Sequence, residues 1–207
     1  MSERYVWLTL FLLGCYHGVN PAMGWLFAVA LGFQERSARA VLRAIVPLTL
    51  GHLVSVALVV LVALFAAAAF PHRAVQLAAG GILLGFGAYR LIRARHPRWV
   101  GMRVGFWGLA LWAFLMSSAH GAGLMLVPFV TAGRSEMPMA MAAPHASYAV
   151  GWLMVGVHTF GYILTMTAVA LFVYGRLGVS FLRRAWFNVD ILWAVALIVT
   201  GIVALVT

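Results

Sequence analysis

Four histidines lie within long apolar stretches of this 207-residue chain: His17, His52, His120 and His158. An ionisable side chain is expensive to place in a membrane, so such residues generally face the interior of a helix bundle and mark functional sites. Imidazole can bind a transition-metal ion, carry a proton or ligate haem. A membrane histidine can also simply hydrogen-bond a neighbouring helix, which leaves a structural role open for each of the four.

The four histidines have polar or thioether residues three or four positions away, so that one face of a helix would carry them together. Thioether combined with imidazole suits soft or borderline transition metals better than magnesium or calcium, which prefer oxygen. The pattern predicts a metal site made of the four histidines. The supporting residues that we expect along the substrate path are Asn20, Met23, Ser55, Met116, Ser117, Met154, Tyr162 and Asp190.

Two of these assignments have simple structural alternatives. Met116 and Met154 can be packing residues rather than ligands, because methionine fills irregular gaps in protein cores. Asp190 is the one carboxylate in or near a predicted span, and it can cap the last helix.

Pro21 predicts a kinked or broken first helix beside His17, and broken helices line sites in transporters.

A second group of soft ligands follows the fourth apolar stretch, in the segment "GRSEMPMAMAAPHASY". Met137, Met139, Met141 and His145 could capture Cu(I) or Ag(I) at the external surface. The same segment could instead lie along the lipid interface.

The elements that carry these residues are predicted to be membrane helices. Hydrophobic residues make up 65% of the chain and charged residues 9%, far from the composition of a soluble domain. A helix needs about 20 mostly apolar residues to cross a bilayer. Six such runs are present, at roughly 5–31, 44–68, 75–92, 105–131, 148–174 and 189–206. We therefore expect an all-α integral membrane protein with six transmembrane helices.

The net charge of +10 comes from fourteen arginines with no lysine. Eleven of them fall in the first, third and fifth connections, which the positive-inside rule places in the cytoplasm. Both termini are then outside a bacterial-type inner (plasma) membrane. The arginine-rich segment "RLIRARHPRWVGMR" is expected to contact anionic lipid headgroups, and no nucleic acid is expected as a partner.

The lone cysteine follows "LLG", which resembles a lipoprotein cleavage box. Cleavage before Cys15 would leave only about 17 apolar residues of the first run, so an uncleaved first helix is predicted. Cys15 then has no partner for an intramolecular disulfide.

The chain also shows an internal repeat. His17 and His120 are each followed by glycine within an apolar run, and His52 and His158 occupy matching places in the next run, 35 and 38 residues further on. We expect two three-helix halves, 1–103 and 104–207, inverted relative to each other because each has an odd number of spans. Transporters recurrently use inverted repeats, with the substrate site between the halves near the bilayer midplane.

The motif H-x-x-x-P at His17 and Pro21, together with the Gly-His pair at His52, resembles the nickel/cobalt transporters of the lysine-exporter superfamily. The resemblance is confined mainly to residues 12–56. It implies a six-helix transporter in which His17 and His52 recognise metal. Where the efflux branch of that family has glycine and histidine after the proline, this chain has Ala22 and Met23.

The first hypothesis is a secondary transporter of a transition-metal cation of the Ni, Co, Cu or Zn class. The alternatives are a proton-coupled exporter of a small organic solute or amino acid, and a haem-binding membrane electron carrier. An enzyme is not expected, because the chain offers no pair of carboxylates for acid–base catalysis. Small residues at Ala78, Gly81 and Gly85 favour close helix packing, either within the bundle or in a homodimer.

Overall fold

The computed structural model describes residues 3–92, 105–130, 144–177, 195, 197–202 and 205, and all regular structure in these residues is helical. The long helices are α1 (Glu3–Val19), α2 (Trp25–Glu35), α3 (Ala38–Ala69), α4 (His72–Ile92), α5 (Phe106–Ala119) and α6 (Pro144–Phe172). A π-helical turn, Val173–Leu177, continues α6, and residues 197–202 are helical. The all-α prediction is confirmed for the described chain.

The first apolar run is broken, as Pro21 predicted. α1 ends at Val19, and a short 3-10 turn, Pro21–Met23, separates it from α2. The side chain of Asn20 accepts a hydrogen bond from the amide of Ala22 at 2.9 Å and so caps this turn. Gly24 has a φ of 120°, a conformation that favours glycine.

The fourth run is broken at the equivalent place, although its sequence has no proline there. α5 ends at Ala119, and a second helical piece, Leu124–Val130, follows at an angle of 48°. Gly121 lies in the break with a φ of 68°. The sequence predicted a break beside His17 but not beside His120, and the structure places each of these histidines at a helix end.

Among the described residues, two helices are long and apolar enough to cross a membrane, Ala38–Ala69 and Tyr148–Arg176, and the bent pair in the fourth run would make a third. α3 begins after a tight turn in which the Ser37 hydroxyl accepts a hydrogen bond from the Arg39 amide. Its outer face exposes a continuous row of large apolar side chains, as a lipid-facing helix does: Leu42, Val46, Leu50, Val54, Leu58, Val62 and Phe65.

The helices pack in pairs that bring distant parts of the sequence together. α1 packs mainly against α6, and α3 mainly against α5. Glycines allow the backbones to approach closely: a Cβ on Gly14 would collide with the carbonyl of His158, and one on Gly51 with the carbonyl of Ala110. These two close pairs carry the four histidines.

The third helix of each predicted half takes part in another glycine contact. A Cβ on Gly80 of α4 would lie 3.2 Å from the carbonyl of Gly201, and one on Gly201 would lie 3.1 Å from the carbonyl of Gly80. The predicted small-residue face differs from this contact face, because a Cβ on Gly81 or Gly85 would meet no described atom within 4 Å.

Candidate functional site: a buried histidine cluster

Three of the predicted histidines meet in the interior of the bundle. His17 comes from the end of α1, His52 from α3 and His158 from α6, and all three side chains are fully buried. The ring centres are 5.0 Å apart for His17 and His158, 5.5 Å for His52 and His158, and 5.8 Å for His17 and His52. We call these three residues the histidine cluster.

Backbone carbonyls fix the ring tautomer of two members. Nδ1 of His17 lies 2.7 Å from the carbonyl oxygen of Leu13, and Nδ1 of His158 lies 3.3 Å from that of Leu10. A carbonyl oxygen only accepts, so in each neutral ring Nδ1 carries the proton and donates it. The Nε2 atoms of His17 and His158 then carry the lone pairs.

Nδ1 of His52 lies 2.9 Å from Oγ of Ser117, a hydroxyl that also lies 3.8 Å from Sδ of Met23. A hydroxyl can donate or accept, so this contact is compatible with either tautomer of His52. When Ser117 directs its proton to Met23 it accepts from His52, whose lone pair is then on Nε2. The Nε2 atoms of His52 and His158 are buried without a hydrogen-bond partner among the described residues.

His120 lies beside the cluster at the end of α5. Its ring is fully buried, and its Nδ1 contacts the carbonyl oxygen of Met116 at 2.7 Å. It is close enough to interact electrostatically with His17. The four predicted histidines are thus in one region, three with their rings in mutual contact and the fourth next to them.

Tyr162 supports the cluster from one side. Its ring is stacked on that of His52, with the centres 3.9 Å apart and the planes 14° from parallel. Its hydroxyl donates a hydrogen bond of 3.0 Å to the carbonyl of Met23. Tyr162 therefore connects α6 both to the histidine on α3 and to the break that follows α1.

The broken segment after His17 has donors for its carbonyls. The indole N–H of Trp25 donates to Val19 at 2.9 Å, and that of Trp112 donates to Ala22 at 3.1 Å. These two tryptophans were missed by sequence reasoning. One feature of the sequence could have identified them: a buried indole N–H needs an acceptor, and a broken helix supplies carbonyl oxygens that lack a helical partner.

The remaining predicted site residues divide into three groups. Ser55 is buried, and its hydroxyl contacts that of Ser118 at 2.9 Å, a residue that sequence reasoning missed. Met116 packs in the same apolar core as Met23, whereas Met154 packs in a separate apolar cluster with Leu10. Asp190, Met137, Met139 and Met141 lie outside the described residues, and His145 lies in the first turn of α6.

As these side chains are placed, no three His, Cys, Asp or Glu residues in the described part of the chain form a group that could hold a metal ion. An ion would therefore have to draw the rings of the cluster from their present positions. Comparisons with protein-family models, with curated proteins and with solved structures found no match.

Proposed function

We propose that this protein is a membrane transporter of a transition-metal cation and that the histidine cluster binds the ion transiently. The observation that carries the proposal is the shared chemistry of the three rings. Nδ1 of each ring lies against a neighbouring oxygen, and with His52 donating to Ser117 as the other two donate to their carbonyls, all three lone pairs are on Nε2. Metal-binding histidines in proteins are held in this way, because the second hydrogen bond sets the tautomer and orients the ring.

The spacing of the rings also supports the proposal. Imidazole rings that share one ion through nitrogens about 2.0–2.1 Å away have centres about 5 to 5.5 Å apart. The cluster has separations of 5.0, 5.5 and 5.8 Å. These separations are close to those of three rings that direct their Nε2 atoms at one ion.

The packing of the helices favours the two-half architecture that transporters use. An axis relating residues 1–103 to residues 104–207 would exchange the α1–α6 pair with the α5–α3 pair. It would also map the contact between Gly80 and Gly201 onto itself. The same axis would exchange the helix break after His17 with the helix break after His120. Rocking of one half against the other would expose the cluster to each side in turn.

The test is metal uptake into liposomes that contain the purified protein, followed by elemental analysis, for Ni(II), Co(II), Zn(II) and Ag(I). We expect uptake of at least one of these ions. The variants His17→Ala, His52→Ala and His158→Ala should each lower it at least about tenfold, since even the loss of a ligand's supporting contact has that effect. His72→Ala, at the start of α4, is the matched control and should transport like the wild type.

The other outcomes separate the alternative functions. Iron with haem absorbance in the purified protein would identify an electron carrier instead. Uptake that is equal in the wild type and the three variants would refute the role of the cluster. Uptake no greater than that of protein-free liposomes in all of them would refute metal transport and favour export of an organic solute. Deletion of the gene gives the direction of transport: import predicts metal resistance of the deletion strain, and export predicts sensitivity.

A further inference from the structure

The histidine cluster has one ring whose hydrogen-bond partner is itself a side chain. Nδ1 of His17 and Nδ1 of His158 each face a backbone carbonyl, whereas Nδ1 of His52 faces the hydroxyl of Ser117 at 2.9 Å. A carbonyl can only accept a hydrogen bond, but a hydroxyl can donate or accept one. The direction of the Ser117 proton therefore decides which nitrogen of His52 carries the lone pair.

Ser117 lies on α5, between His52 and Met23. Its side chain is fully buried, and its hydroxyl lies 3.8 Å from Sδ of Met23. These are the two hydrogen-bond contacts of the Ser117 hydroxyl among the described residues. Thioether sulfur is a weak acceptor with no proton to donate. In its contact with Met23, Ser117 can therefore only be the donor.

Met23 lies on a segment that is held by its own hydrogen bonds. Its side chain is fully buried at the end of the 3-10 turn Pro21–Met23, and its amide donates to the carbonyl of Asn20 at 3.0 Å. The side chain of Asn20 caps the same turn. The sulfur is thus kept next to the Ser117 hydroxyl by the broken segment that follows α1.

The two directions of the Ser117 proton satisfy different numbers of polar groups. Directed at Met23, the hydroxyl accepts from Nδ1–H of His52, and two hydrogen bonds run in a chain from His52 through Ser117 to the sulfur. Directed at His52, the hydroxyl makes one hydrogen bond and the His52 proton is on Nε2. Nε2 of His52 is buried without a hydrogen-bond partner in the described part of the chain, so a proton there would be an unsatisfied donor. Because hydrogen bonds in a chain polarise one another, the direction towards Met23 is favoured further.

We infer that Ser117 is a positioning residue of the metal site: it directs its proton to Met23, accepts from His52 and so keeps the lone pair of His52 on Nε2 for the ion. The inference rests on the proposed function, because it specifies how one ligand of the same site is held. Met23 then acts through Ser117 and not as a ligand. Outer partners of this kind orient metal-binding histidines, and their loss lowers metal affinity about 10- to 100-fold.

The first experiment reads the tautomer of His52 from the NMR signals of its two isotope-labelled ring nitrogens. It uses the full-length, metal-free protein in detergent, and the ring signals are assigned through their connection to the His52 backbone. We expect the proton on Nδ1, and a proton on Nε2 would overturn the inference. This measurement needs no variant, so it stands even where a substitution impairs folding.

Met23→Leu tests the role of the sulfur. Leucine keeps the apolar volume but cannot accept a proton, so Ser117 should turn to His52 and the ring proton should move to Nε2. Ni(II), Co(II), Zn(II) and Ag(I) are then titrated one at a time, and any ion that the wild type binds should bind at least about tenfold more weakly. Met166→Leu is the matched control, because that methionine is fully buried in the same apolar core, and it should keep the wild-type tautomer and affinity.

Ser117→Ala tests the hydroxyl itself. The substitution removes the oxygen partner of Nδ1 of His52, so the same titrations should show a loss of affinity of about 10- to 100-fold. Wild-type affinity in this variant would overturn the inference.

The remaining outcomes separate the inference from the proposed function. If Met23→Leu weakens metal binding while the His52 proton stays on Nδ1, the sulfur acts on the ion directly, and the inference is overturned with the proposed function intact. If the wild type binds none of the four ions, the proposed function is overturned and the inference with it.

Discussion

At the scale of single residues, the hydrogen bonds of the cluster explain why four histidines can lie in an apolar bundle. Each Nδ1 has an oxygen partner, and three of these oxygens are backbone carbonyls of helices that carry histidines. Burial of a polar group without such a partner would be strongly unfavourable. The structural role and the proposed binding role therefore use different atoms of the same ring.

Tyr162 offers a test of the distinction between supporting and binding the ion. Tyr162→Phe keeps the ring stacked on His52 but removes the hydrogen bond to the Met23 carbonyl. We expect a loss of about 1–3 kcal/mol in stability, because a buried acceptor loses its partner. Thermal unfolding in detergent measures the loss, and elemental analysis should show metal binding close to that of the wild type.

The control for this variant is Tyr5→Phe. The Tyr5 side chain is 65% exposed near the start of α1, so its substitution should leave both stability and metal binding unchanged. If Tyr162→Phe abolished metal binding as completely as His52→Ala, the phenol oxygen itself would have to be a ligand.

At the scale of helices, the close approach of α1 and α6 positions His158. Gly14 and Gly18 of α1 lie against the backbone of α6, and Gly161 of α6 lies against the backbone of α1 at Phe11. Without a Cβ at these positions the helices can touch, and Nδ1 of His158 then reaches the Leu10 carbonyl. These glycines therefore help to position the imidazole ring of His158.

Gly161→Ala tests this role of the helix contact. The added Cβ would collide with the carbonyl of Phe11, so we expect a destabilisation of about 1–3 kcal/mol and weaker metal binding as His158 moves. Gly156→Ala on the same helix is the matched control, since its Cβ would meet no described atom within 4 Å. Alanine should there be neutral or stabilising by up to about 1 kcal/mol.

Thermal unfolding and metal binding of the two alanine variants are measured side by side. Equal melting temperatures would show that the contact between Gly161 and Phe11 does not limit the approach of the helices.

The limits of sequence prediction are clearest at this scale. Pro21 predicted the first break, because proline cannot continue a helix. The break after His120 was not predicted, since glycines alone are tolerated within membrane helices. The sequence did not predict which helices pack against each other, because periodicity gives the buried face of a helix but not the helix that covers it. The sequence predicted that the four histidines lie together, but it did not predict the packing of α1 against α6, on which the contact between His17 and His158 depends.

At the scale of the whole molecule, the outer face of α3 is apolar, and the histidine cluster places polar side chains inside a largely apolar core. α3 illustrates this arrangement. Its 32 residues span about 48 Å, which exceeds the bilayer core of about 30 Å. Its first turns carry Arg39 and Arg43 and would extend beyond the hydrocarbon. The positive-inside rule then predicts that the start of α3 is cytoplasmic.

Labelling of single cysteines tests this orientation in a Cys15→Ser background. Ser37→Cys, just before α3, should react with a membrane-impermeant maleimide only after the cells are permeabilised. Phe70→Cys, just after α3 and 63% exposed, should react in intact cells. The reverse pattern would invert the orientation of the whole chain and place both termini inside. Reaction of both cysteines from one side would mean that Ala38–Ala69 does not cross the membrane. The histidine cluster would then not lie within a bilayer, and the proposed transport function would be refuted.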